Sequence, residues 1–62
     1  MKRYKIWWQK QEYIVESDKY LHAKQKLCRD LGLSIPDTNK LIAFATIVVW
    51  RDNGWEFISF DD

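Results

Sequence analysis

The most constraining feature of this sequence is a predicted hairpin with large apolar side chains on both of its sides. Two β-rich runs flank Asn53-Gly54, and both of these residues tolerate the positive φ that a type I′ turn requires. That turn would place Arg51 opposite Glu56, a pairing that opposite charges favour. Side chains alternate between the two sides of a strand. One side therefore carries Ala45, Ile47, Val49, Ile58 and Phe60, and the other carries Val48, Trp50, Trp55 and Phe57.

A second hairpin is predicted near the start of the sequence. Residues 3–9 and 12–17 alternate between two sides, and a turn centred on Lys10 and Gln11 would join them. The two adjacent tryptophans of the first strand must then point in opposite directions. One side carries Tyr4, Ile6, Trp8, Tyr13 and Val15, and the other carries Trp7 and Ile14, with Lys5 opposite Glu16.

The segment between the hairpins predicts a helix. Ser17 or Asp18 can cap its first amide groups, and Gly32 suits the left-handed residue that ends a helix. Ser34 and Pro36 favour a short helical turn at 34–43. The prediction is a single α+β domain over residues 1–62, in the order ββαββ (hairpin–helix–hairpin). Its sheet has four mainly antiparallel strands, with one main helix on one face.

The short length limits how this domain can be stabilised. A chain of 62 residues buries little surface, and its stability is usually marginal. Cys28 is the only cysteine, so no internal disulfide forms, and it cannot complete a zinc site with the only histidine, His22. Stability must then come from a dense aromatic core, from self-association, or from both.

The same features favour a cytoplasmic location. A lone cysteine and the absence of a signal peptide are typical of proteins in a reducing compartment. The longest apolar run, residues 41–50, is too short to span a membrane.

One face of the predicted sheet is left without cover, because a single helix covers only one face. We expect the helix on the aliphatic side, where Ala, Ile and Val pack closely. An exposed apolar patch on a small protein usually marks an interaction site. Three alternatives stay open for its cover, namely the segment 33–44, a second copy of the chain and a foreign protein partner. The predicted partner-binding residues, called the aromatic face below, are Trp7, Ile14, Val48, Trp50, Trp55 and Phe57.

The sequence offers no chemistry for an enzyme. His22 has no neighbouring nucleophile or metal ligand in the sequence pattern, and Cys28 lies on the apolar arc of the helix. No cofactor, metal or small-molecule substrate is predicted. The predicted function is non-catalytic binding of a protein, or of a second copy as a homodimer. That role is typical of small regulators and inhibitors, including those that phages and mobile elements encode.

Binding of single-stranded nucleic acid is the alternative. Aromatic side chains flanked by Lys and Arg stack on bases, and Trp7 lies near Lys2, Arg3 and Lys5. The net charge of only +1 argues against it, as do the acidic residues of the second hairpin. A second basic surface could contact phosphate through Lys19, His22, Lys26 and Arg29.

Overall fold

The computed structural model describes residues 1–62 and has the predicted α+β architecture. Its elements are β1 (Lys2–Trp8), β2 (Gln11–Ser17), α1 (Tyr20–Leu31), α2 (Ile35–Phe44), β3 (Thr46–Arg51) and β4 (Gly54–Phe57). The strands form one antiparallel sheet in the order β2-β1-β3-β4. The short helical turn predicted at 34–43 is a complete second helix, capped where Ser34 Oγ accepts the Asp37 N–H. Neither helix is long and apolar enough to cross a membrane.

Both hairpin turns lie one residue earlier than the sequence predicted. Gln9 and Lys10 form the first turn with φ of 51° and 66°, and Asp52 and Asn53 form the second with φ of 52° and 69°. Two consecutive positive φ values are the property of a type I′ turn. Asp and Asn enter the left-handed region more readily than most residues. Asp52-Asn53 can therefore take the two central positions of the turn in place of Asn53-Gly54. Gly54 becomes the first residue of β4.

The cross-strand pairs therefore shift by two residues. Lys5 lies opposite Ile14 rather than Glu16. Trp50 lies opposite Trp55, and Glu56 lies opposite Val49 rather than Arg51. A shift of two residues leaves every side chain on its predicted side, whereas a shift of one would have exchanged the faces.

Both helices lie on the aliphatic face, which is the core of the protein. Leu41 of α2 is fully buried in the same cluster as Leu27 of α1 and Tyr4 of β1. The segment 33–44 therefore packs on the core side and does not cover the aromatic face. The cluster comprises Tyr4, Ile6, Val15, Ala23, Leu27, Cys28, Leu41, Ala45 and Val49. Phe60, predicted on this face, is almost fully exposed because the strand alternation ends with β4.

Lys24 links the two helices. Its side chain is buried, and Nζ donates to the main-chain oxygen of Ile42 at 3.0 Å. Burial lowers the pKa of this amine. Ile42 lies in the last turn of α2, where carbonyls lack helical partners and a positive charge is favourable. Lys24 thus supplies α2 with the basic group that its own last turn lacks.

Asp62 is anchored in the fold. The Asp62 carboxylate is fully buried and accepts hydrogen bonds from the backbone N–H and the Oγ of Ser59, at 2.8 and 3.0 Å. It also forms ion pairs with Arg51 and, at 3.3 Å, with Lys2. These contacts join the ends of β1 and β3 to residues 58–62.

The same residue replaces the predicted cap of α1. The helix begins after Lys19, which makes no side-chain cap, and neither Ser17 nor Asp18 takes that role. Instead, the main-chain oxygen of Asp62 accepts the Tyr20 N–H at 2.6 Å and also the Tyr4 hydroxyl. Burial, followed by the nearby Asp62 carboxylate, raises the pKa of the Tyr4 hydroxyl.

Acid should weaken the fold through Asp62. The backbone hydrogen bond from Ser59 is the main reason that the pKa of this carboxyl is about 2, below its ordinary 3.8. The ionised group therefore stabilises the fold above about pH 4, and the contribution is lost as the pH falls towards about 2. The urea midpoint of the wild type should fall more steeply over this range than that of Asp62→Asn. If the urea midpoints of the two proteins fell in parallel as the pH is lowered, the Asp62 carboxylate would not be the group that acid acts on.

Candidate functional site

The aromatic face occupies the side of the sheet opposite both helices. One row of side chains crosses all four strands at the same level, in the order Ile14, Lys5, Val48 and Phe57. Trp7 lies on one side of this row, and the paired Trp50 and Trp55 lie on the other. All six residues predicted from the sequence are thus brought together on one surface.

These residues differ in how far they are open to solvent. Phe57 is 86% exposed, Ile14 is 53%, Trp50 is 41% and Trp7 is 39%. Trp55 is half-buried, and Val48 is only 8% exposed. Val48 therefore forms the floor of the surface, while the two most exposed apolar side chains lie on the two edge strands.

Lys5 is the central polar residue of the face, and the sequence did not single it out as part of this site. Its Nζ lies 4.4 Å from the ring centroid of Trp55 and 5.8 Å from that of Trp7. To reach Trp55 on β4, the side chain must extend across β3 at the level of Val48. The aliphatic stem of a lysine covers apolar surface well, which accounts for the burial of Val48. Only the adjacency of β1 and β3 could have revealed this contact.

The tryptophan pair gives the face a fixed shape. The rings of Trp50 and Trp55 meet edge to face, with centroids 5.1 Å apart and planes at 71°. This arrangement is favourable for aromatic quadrupoles and is worth about 1 kcal/mol beyond burial. The contact between the two rings restricts the motion of both.

The charges on this side of the sheet are paired with each other. Lys5 Nζ lies 3.4 Å from Glu12 Oε1, and Arg3 lies 3.8 Å from Glu16 Oε1. The two cations of β1 thus face two carboxylates of β2, the neighbouring edge strand. A surface of this kind has little net charge, and phosphate groups would have to compete with the glutamates for it.

The second basic surface proposed from the sequence is brought together in part. His22, Lys26 and Arg29 line a shallow groove on α1 together with Ser17, Gln25 and Asp30. Lys26 Nζ donates to the main-chain oxygen of Glu16 at 3.3 Å. Lys19 does not line the groove, and its amine lies 3.4 Å from the main-chain oxygen of Asp61.

The remaining reactive side chains are placed as follows. Cys28 is a free, buried thiol in the core, at a distance of 3.9 Å from the carbonyl oxygen of Thr38. No group of three or more His, Cys, Asp or Glu side chains is arranged to hold a metal ion. The aromatic face is the candidate functional site because it gathers exposed apolar side chains on one surface.

Comparisons with known proteins give no match to a family model, to a curated protein or to a solved structure.

Proposed function

We propose that this protein is a non-catalytic binding module whose aromatic face docks on the surface of a protein. The observation that carries the proposal is the position of both helices on one side of the sheet, which leaves exposed rings on the other side around paired charges. Large aromatic side chains with few free charges are typical of the centre of protein interfaces.

The size of the face supports this role. With about 200 Å² for a whole ring side chain, the exposed fractions of Trp7, Trp50 and Phe57 amount to about 330 Å². That area lies in the range of about 300–600 Å² in which the largest patch of a monomer is often functional. Its burial would contribute about 8 kcal/mol, comparable with the cost of association. A partner must therefore match the face closely rather than contact a single ring.

A module of this kind acts by occupying a surface. We propose the role of a small regulator or inhibitor, of the type that phages and mobile elements encode, working in the cytoplasm. A single buried thiol is compatible with that compartment. The proposed activity needs neither a cofactor nor a bond-making residue.

Site-specific photocrosslinking tests the proposal. Phe57 and Phe44 form a matched pair, because Phe44 is 78% exposed but lies at the end of α2, outside the aromatic face. A benzophenone amino acid at position 57, in cells that make the protein, should give a covalent adduct with a protein. The same group at position 44 should not. Adducts from both positions alike, or from neither, would overturn the proposal.

Oligonucleotide titration separates the nucleic-acid alternative. Stacking on Trp7 or Trp50 would quench tryptophan fluorescence at low salt and lose most of that effect as salt is raised. Because Lys5 and Arg3 already face glutamates, we expect no quenching by single-stranded DNA or RNA. Salt-sensitive quenching that is lost in Trp7→Ala would favour the alternative instead.

A further inference from the structure

We infer that the partner of the aromatic face is a second copy of this chain, stacked sheet to sheet about a two-fold axis that runs parallel to the strands. This inference rests on the proposed function and names its partner. The complex would have four layers, with the helices of each copy outside and the two sheets inside. Sheets that pack face to face lie about 10 Å apart, and side chains from both sheets fill the space between them.

The central row of the face is complementary to itself under this rotation. Rotation about a two-fold axis parallel to the strands keeps each residue at the same level along the strand direction. It reverses the order of the strands across the sheet, so that β2 lies over β4 and β1 lies over β3 of the second copy. Ile14 on one edge then lies over Phe57 of the second copy, and Lys5 lies over its Val48. The two most exposed apolar side chains of the face are therefore buried against each other, twice in each dimer.

The charged residues favour the same axis. A two-fold axis across the strands would place each strand over its own copy, so Lys5 would face Lys5, and the glutamates of β2 would face one another. Like charges brought together in an interface are strongly unfavourable. With the axis parallel to the strands, β1 lies over β3, and Arg3, one pleat beyond Lys5, faces Trp50 of the second copy. The axis across the strands would also give Arg3 a ring, that of Trp7 in the second copy, so the like-charge repulsions decide between the two axes.

The monomer also has a reason to associate. Only 13 of its 62 residues are buried, and it has no disulfide to support so small a core. The exposed parts of Trp7, Trp50 and Phe57 in two copies amount to about 660 Å² without the neighbouring residues. Stable interfaces begin near about 1,200 Å² of total buried surface. We therefore expect a dimer with a dissociation constant in the micromolar range.

Sedimentation equilibrium from about 1 µM to about 500 µM tests the association. The mass should rise from 7.6 kDa to twice that value. Phe57→Asp places a carboxylate in the interface and should weaken association by about 100-fold or more, while the control Phe44→Asp should leave it unchanged. A wild type that stays monomeric throughout, or equal effects of the two variants, would overturn the second copy as the partner.

Disulfide trapping tests the axis. Ile14 and Phe57 are separated by three strand spacings within one sheet, about 14 Å, so cysteines at these positions cannot bond within one copy. On oxidation, a mixture of Ile14→Cys and Phe57→Cys proteins should form mainly the 14–57 disulfide between copies, since native Cys28 is buried. A preference for 14–14 and 57–57 disulfides would overturn this axis.

The photocrosslinking experiment keeps the two proposals distinguishable. An adduct from position 57 at twice the chain mass supports both of them. An adduct at another mass, from a chain that sediments as a monomer, overturns the second copy but supports protein binding. No adduct together with a monomeric chain overturns both.

Discussion

Asp62→Ala should lower the free energy of unfolding by about 2–3 kcal/mol, a large share of the stability of so small a domain. The substitution removes a fully buried carboxylate and leaves the Ser59 N–H without its acceptor. It also separates Lys2 and Arg51 from their common partner. Loss of one member of a fully buried ion pair can cost more, but these two cations are more than a third exposed and can return to water.

Urea denaturation of the wild type and Asp62→Ala at neutral pH measures this difference. Asp61→Ala is the matched control, because its side chain is exposed and only its main-chain oxygen contacts Lys2 and Lys19. That control should change stability by less than about 0.5 kcal/mol. If the two alanine variants unfold at the same urea concentration, the buried carboxylate does not anchor residues 58–62.

The Asp62 anchor lies beyond sequence reasoning because its partners are remote in the chain. The main-chain oxygen of Asp62 lies 58 positions from the Tyr4 hydroxyl that donates to it. Local capping rules consider only the residues just before a helix, so they favoured Ser17 and Asp18 and could not identify this acceptor. An aspartate is also seldom fully buried unless it is paired.

The faces of the sheet could be predicted because they depend only on whether a residue has an odd or an even position along its strand. Trp7 and Trp8 had to lie on opposite sides whatever the register, and both turns moved in steps that preserved this parity. The position of the second turn depended on small differences among Asp52, Asn53 and Gly54, which all tolerate positive φ, whereas the first turn, at Gln9 and Lys10, contains no residue of that kind. Alternation also places Lys5 on the side of Trp7, but its contact with Trp55 depends on strand order, since β1 lies between β2 and β3. Hairpin signals are local and do not indicate which strands of two hairpins will be neighbours.

The adjacent tryptophans should differ sharply in what they stabilise. Trp8 packs against the core from the aliphatic side, while Trp7 is 39% exposed on the aromatic face. Trp8→Ala should cost about 3 kcal/mol of monomer stability, at the low end for aromatic truncations because the ring is only partly buried. Trp7→Ala should cost less than about 1 kcal/mol in the monomer and should weaken association instead.

A third variant separates packing from hydrogen bonding at Trp8. Its indole N–H is buried without a partner, a condition that costs roughly 1–3 kcal/mol. Trp8→Phe removes that donor, which is favourable, and also removes part of the ring, which is unfavourable. These two effects should largely cancel, so the free energy of unfolding should change by less than about 1 kcal/mol. All three variants are best compared in a Phe57→Asp background, where dimer formation does not contribute to the measured stability. Equal losses from Trp7→Ala and Trp8→Ala in that background would contradict the two-sided sheet, because each ring would then be supporting the same core.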